Sequence, residues 1–137
     1  MKIRFAGDDW ELISKVIDGT FPDYDRVIPA RVENPGYAVL SLETLRRLPA
    51  PISDVRTTIK LDLSTATASS RDVVNDFEVE MPIEAHGDFA VGFASNYLRE
   101  IARTFGTIRI EATSPNDAAH ILTDDPDLTV VIMPHRI

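Results

Sequence analysis

The chain has 137 residues, a net charge of −8 and no cysteine. That length fits one domain whose core needs no covalent staples, and the missing thiols exclude disulfides, thiolate metal sites and cysteine catalysis. With 44% hydrophobic and 26% charged residues the composition is globular, and the acid excess argues against a non-specific nucleic-acid coat, because phosphate binding needs a basic surface.

The start, Met1 to Asp8, lacks the apolar stretch of a signal peptide, and no apolar run approaches the roughly 20 residues of a membrane span. A cytoplasmic protein away from the membrane is expected. Ile3 and Phe5 alternate with Lys2 and Arg4, and Trp10, Leu12, Ser14 and Val16 share a face beyond a Gly7-Asp8-Asp9 turn. This is a β-hairpin pattern. Such a hairpin is expected to be tied down by pairing with a sheet edge, of its own domain or of a second copy. An irregular linker over 18–25 follows, with a short extended piece at Val27 and Ile28. Residues 37–42 read as a strand, and Leu42, Leu45 and Leu48 as the stripe of a short helix over about 42–48, stopped by Pro49 and Pro51.

Ile59, Leu61 and Leu63 mark the next strand. The small polar run Thr65 to Asn75 predicts a loop or a weak edge strand. Phe77, Val79, Met81 and Ile83 alternate with Glu78 and Glu80 in the clearest strand pattern of the chain, and Pro82 predicts an edge or a bulge. His86-Gly87-Asp88 predicts a turn into a strand over 89–92. Phe93, Tyr97, Leu98, Ile101, Ala102 and Phe105 then form one face of a helix that Gly106 ends. Strands resume at Ile108 to Ile110, His120 to Leu122 and Leu128 to Met133. Eight or nine strands and two helices make an α+β domain on mainly antiparallel sheets.

Catalytic patterns fail. His86, His120 and His135 are widely spaced, and no nucleophile elbow, phosphate loop or dinucleotide fingerprint occurs. Asp8-Asp9 and Asp124-Asp125-Pro126-Asp127 lack calcium-loop spacing and sit where turns are predicted. No enzymatic activity, metal or cofactor is expected. Two stretches are unusual: the connector Gly19 to Pro29, which mixes aromatics with prolines, and the apolar end Val130 to Ile137. On pattern alone that end is either a core strand with a docked tail or one wall of a partner groove.

These stretches carry a resemblance. Ser14-Lys15-Val16-Ile17-Asp18-Gly19-Thr20-Phe21-Pro22-Asp23-Tyr24-Asp25-Arg26-Val27-Ile28-Pro29 resembles the junction between the second and third domains of the bacterial sliding clamp, the β subunit of DNA polymerase III. Val91-Gly92-Phe93-Ala94-Ser95-Asn96-Tyr97-Leu98 is similar to that family's strand-to-helix entry, and Val131-Ile132-Met133-Pro134-His135-Arg136-Ile137 to its C-terminal tail. The sequence departs from the family at Asp25, usually basic, at His135, usually apolar, and at Ala94, frequently Asn.

The resemblance implies a clamp-like fold, two helices packed on mainly antiparallel sheets. Residues 1–29 would be the hairpin and connector that end the middle domain, and 30–137 a C-terminal-type clamp domain. It implies a non-enzymatic processivity or scaffold protein for DNA replication, which binds partner peptides in a hydrophobic groove. The groove would use Pro22, Arg26, Val27, Val131, Met133, Pro134, His135 and Arg136. The partners would be DNA polymerase or repair proteins carrying a clamp-binding peptide, and duplex DNA once a homo-oligomer has closed into a ring. Arg46, Arg47, Arg99 and Arg103, on the polar faces of the two helices, are the candidate phosphate contacts. The alternative is a reduced clamp homologue, a partner-binding or regulatory module that does not encircle DNA.

Overall fold

A computed structural model describes residues 1–52 and 56–137. Within them lie eleven strands and two α-helices. The hairpin expected at the start is β1 (Lys2–Ala6) with β2 (Glu11–Lys15). The remaining strands form two antiparallel sheets. The five-stranded sheet runs in the order β11 (Val130–Ile132), β10 (Ala119–Leu122), β9 (Ile108–Ala112), β3 (Gly36–Leu40), β7 (Glu84–His86). The four-stranded sheet runs β6 (Phe77–Pro82), β5 (Thr67–Asp72), β4 (Thr58–Asp62), β8 (Ala90–Ala94). This is the α+β class on antiparallel sheets that the alternation predicts.

The sheets share one apolar layer. Leu40, Ile59, Leu61, Phe93, Ile108 and Ile110 are fully buried in it. Each such side chain removed from water stabilises the fold by about 1.5–3 kcal/mol. Helix α1 (Leu42–Arg47) adds Leu45, and helix α2 (Ser95–Phe105) adds Leu98 and Ala102. Ser41 caps α1, its hydroxyl accepting from the Thr44 N–H at 3.1 Å. Helix α2 has no side-chain cap; instead the Ser95 N–H donates to the Thr57 carbonyl at 2.9 Å, which fastens the helix start to the chain entering β4. At the far end Gly106, with φ +77°, returns its N–H to Ala102.

The structure corrects several expectations. Residues 67–72 are neither loop nor edge but β5, an inner strand. Ala68, Ser69 and Ser70 are all buried, and a strand covered on both faces loses the polar alternation that marks a half-exposed one. The Ser70 hydroxyl donates to the Thr58 carbonyl at 3.0 Å, which makes its burial tolerable. Phe93 and Ala94 belong to β8 and not to the second helix, because strand pairing with Thr58 and Ile59 holds them extended. Val27 and Ile28 form no strand; a single 3-10 turn at Tyr24–Arg26 stands there. The last strand is confined to Val130–Ile132, and Glu84–His86 forms an extra short strand ahead of the expected turn. Among the described residues β1 and β2 pair only with each other, so the expected pairing with an edge of their own domain is not seen there.

Arg99 is the sharpest correction. The helical pattern puts it on a solvated face, but it is 8% exposed. Its Nε donates to the Ser95 hydroxyl at 3.0 Å, and its Nη2 donates to the carbonyls of Leu48 and Pro49 at 3.2 and 3.1 Å. Those carbonyls lie where α1 ends, and the prolines beyond it offer no N–H of their own. The guanidinium therefore clasps the two helices. Burial, and secondarily Arg103, lowers its pKa from the ordinary guanidinium value, yet a guanidinium stays charged in proteins. Replacing Arg99 by Leu should leave both carbonyls unpaired and cost about 1–3 kcal/mol in urea unfolding. The exposed Arg103→Leu change should stay within about 0.5 kcal/mol.

Candidate functional site: a groove between the second helix and the C-terminal tail

Beyond β11 the chain crosses from one sheet to the other. The His135 N–H donates to the Gly92 carbonyl at 2.7 Å, an antiparallel bridge on the outer edge of β8. The tail thus ties the β11 edge of the five-stranded sheet to the β8 edge of the four-stranded one. Gly92 is required for this close approach: a Cβ there would lie 2.3 Å from Ile137 Cγ2 and 2.9 Å from Thr58 Cγ2. His135 Nδ1 lies 3.4 Å from the Thr58 hydroxyl. Partial burial, and then the charge of Arg56, lower the His135 pKa below its ordinary 6.5.

The crossing tail and α2 enclose a groove of about 420 Å³. Tyr97 and Ile101 form the helix wall, one turn apart on one face. Val131, Ile132 and Met133 form the tail wall, and Glu100 of α2 and His135 of the tail are the polar members of the lining. Tyr97 is 58% and Met133 62% exposed, so the apolar walls stand open to solvent. Such a slot accepts a large apolar side chain and offers few polar groups to orient it.

Of the expected groove residues, Val131, Met133 and His135 line this slot, while Pro134 and Arg136 lie on the same tail outside its lining. Pro22, Arg26 and Val27 do not line it. They are exposed on the connector, where Arg26 pairs with Asp23 at 3.0 Å and Phe21 meets Tyr24 edge-to-face. The connector is moored just beyond them. His120 Nε2 lies 2.8 Å from the Pro29 carbonyl, and Arg31 pairs with Glu111 at 2.9 Å. A second concavity of about 450 Å³ opens there, with Ile28, Leu128 and Val130 among its lining.

Tyr97, Glu100, Ile101 and Ile132 are groove residues that sequence reasoning missed. Tyr97 and Ile101 were legible as apolar, but as part of the buried stripe. The overlooked signal is the width of that stripe, which exceeds what the core covers. Of the four candidate phosphate contacts, Arg46, Arg47 and Arg103 are exposed. Arg47 pairs with Glu43 at 2.8 Å, and Arg103 bonds Glu100. Arg99 is withdrawn into the helix clasp. Among the described residues no group of three His, Asp or Glu is placed to hold a metal ion, and no described helix is long and apolar enough to cross a membrane.

Known proteins share this fold. The curated β sliding clamp of Caulobacter vibrioides is 28% identical over 152 residues, which cover 99% of this chain and 39% of the relative. A crystal structure of the Caulobacter crescentus clamp matches 99% of this chain with TM-score 0.79 and 26% identity, again over 39% of its own length. The chain is homologous to part of the bacterial β sliding clamp. The clamp of Bartonella birtlesii, solved bound to griselimycin, superposes with TM-score 0.80 at 25% identity, over 99% of this chain and 39% of that one. No family model matches the sequence. The chain spans about two fifths of the length of the curated clamps it matches.

The His135 shift has a definite sign. A histidine whose pKa is lowered in the docked tail favours the neutral form, so its contribution to docking is complete above pH 6.5 and weakens as pH falls below that value. The protection of the His135 amide, its exchange rate relative to a free peptide at the same pH, should fall below this pH, and His135→Leu should remove that loss of protection while leaving the bridge to Gly92.

Proposed function

We propose that this chain acts as a sliding-clamp component, a non-catalytic scaffold for DNA replication that captures partner peptides in the groove between α2 and the tail. The observation that carries this reading is the open apolar slot of Tyr97, Ile101, Val131, Ile132 and Met133 within a clamp fold. A polymerase or repair protein would insert a short extended segment with large apolar anchors. The slot would bury an anchor side chain, and Glu100 and His135 would orient the segment at the rim. Pro22, Arg26 and Val27, with Pro134 and Arg136, would extend the contact along the connector and tail. Residues 1–29 would correspond to the end of a middle clamp domain and 30–137 to a C-terminal-type domain.

In an assembled ring, Arg46, Arg47 and Arg103 would face duplex DNA. Charge is needed only on that face. On α1 the exposed Arg46 and Arg47 outnumber Glu43, while on α2 Arg99 is buried and Arg103 is matched by Glu100, and the whole molecule is acidic. The overall −8 therefore does not oppose a local phosphate contact.

A fluorescent peptide of the Gln-Leu-x-Leu-Phe type, titrated with protein, tests the groove. Saturable binding is expected, and Tyr97→Ala or Met133→Ala should weaken it at least tenfold, about 1.4 kcal/mol. Absence of saturation at high micromolar protein would sink the reading. Duplex binding is expected to fall steeply with salt. Reversing Arg46, Arg47 and Arg103 to Glu should flatten that dependence, by about 0.9 in log–log slope for each phosphate that is no longer neutralised. A salt-independent duplex signal would remove the DNA-facing assignment and leave a partner-binding module.

A further inference from the structure

The lining of the groove holds one side chain that is charged at neutral pH, Glu100. The other polar member, His135, has its pKa held below the ordinary 6.5 by burial and by Arg56, so its neutral form prevails there. Tyr97 and Glu100 stand three positions apart on α2, which makes their side chains neighbours on one face. Tyr97 is 58% exposed, and the Glu100 side chain 69%. Its Oε1 accepts from Arg103, while among the described residues Oε2 has no partner. The Thr104 hydroxyl donates to the Glu100 carbonyl and leaves the carboxylate alone. The pair with Arg103 is open to water on both sides, a contact that contributes little and exchanges readily.

Elsewhere in the molecule the same two groups hold a guanidinium. On the five-stranded sheet Arg109 lies 3.5 Å from the centre of the Tyr37 ring, and its Nε donates to Glu111 Oε1 at 3.1 Å. Tyr37 and Glu111 are directly opposite each other on β3 and β9. The ring face takes the flat cation and the carboxylate takes its N–H groups, a combination that suits arginine better than lysine. The groove sets a tyrosine beside a carboxylate in the same way, and among the described residues no cation lies over Tyr97.

We propose that the partner segment carries an arginine beside its apolar anchor, stacked on Tyr97 and paired with Glu100. This rests on the groove reading above and names the chemistry that the groove selects. The anchor enters between Ile101 and Met133, and the methylenes of the arginine pack along the exposed flank of Tyr97. Once the segment covers the slot, water leaves one side of Glu100, and its attraction for a cation grows as the local dielectric falls. The same change penalises an acidic side chain at that place, because two carboxylates would meet in a partly dried site. Exclusion of acidic segments therefore adds to the attraction of basic ones in setting the selectivity.

Fluorescence anisotropy with peptides of the Gln-Leu-x-Leu-Phe type provides the test. The x position and the residues just outside the motif are set in turn to Arg, Lys, Gln and Glu. At one of these positions the Arg peptide should bind at least about threefold more tightly than the Glu peptide, with Lys between them. The ratio of the two affinities is read within each protein variant, so a general loss of binding does not enter it. Glu100→Gln should abolish the difference at that position, Glu100→Lys should invert it, and Arg103→Gln, which frees Oε1, should enlarge it. Tyr97→Leu should keep the preference for a cation over Glu but remove the advantage of Arg over Lys. Equal affinities for all four peptides, tighter binding of the Glu peptide, a difference that survives Glu100→Gln, or an Arg advantage unchanged by Tyr97→Leu would each overturn the proposal and leave the groove itself standing. Failure of every peptide to bind would overturn both.

Discussion

The apolar layer shared by the two sheets governs what the rest of the molecule can do. Leu40 and Ile110 enter it from one sheet and Leu61 and Phe93 from the other, while Leu45 and Leu98 reach it from the helices. Burial on this scale sets how far α1 and α2 stand from the sheets, and it uses up the apolar residues of α1. Helix α2 is longer and has more apolar surface than the layer covers. Leu98 and Ala102 are fully buried, whereas Tyr97, one position away, is more than half exposed. The groove exists because that surplus is left uncovered and the tail is laid along it.

Two polar devices hold this arrangement. Arg99 joins the end of α1 to the start of α2 through three hydrogen bonds, a charged clasp in a place where an apolar side chain would leave carbonyls unpaired. On the opposite side of α2, the backbone bridge between Gly92 and His135 fixes the height at which Met133 faces Tyr97. Arg99 lies outside the lining of the groove, whereas His135 is part of it. His135 belongs to the wall through its place in the lining and to the latch through its backbone N–H.

Much of this was legible in the sequence, and the failures have physical causes. Strict alternation marked β6 and β4, since both are half covered. Strand β5 escaped because it is sandwiched, and its serines read as a loop. Phe93 read as helix because an apolar residue four positions before Tyr97 fits either period, and pairing with Ile59 decided in favour of the strand. Half of the groove was visible in the tail, where apolar residues at a chain end are unusual. The helix wall was not, because a stripe shows which residues are apolar but not how many of them the core will take. Arg99 could not have been read as internal: two of its three partners are main-chain carbonyls some fifty residues away.

The interleaving of the two sheets along the chain also orders their assembly in time. The four-stranded sheet draws all its strands from one continuous stretch, Thr58 to Ala94, whereas β3 is paired on one side with β7 and on the other with β9. Strand β3 is made before both of its partners and must wait, with its apolar face open, for strands that arrive about 45 and 70 residues later. Closing such long loops slows folding. The four-stranded sheet can therefore close first and serve as the template on which the five-stranded sheet is completed, with the tail crossing only once both sheet edges exist.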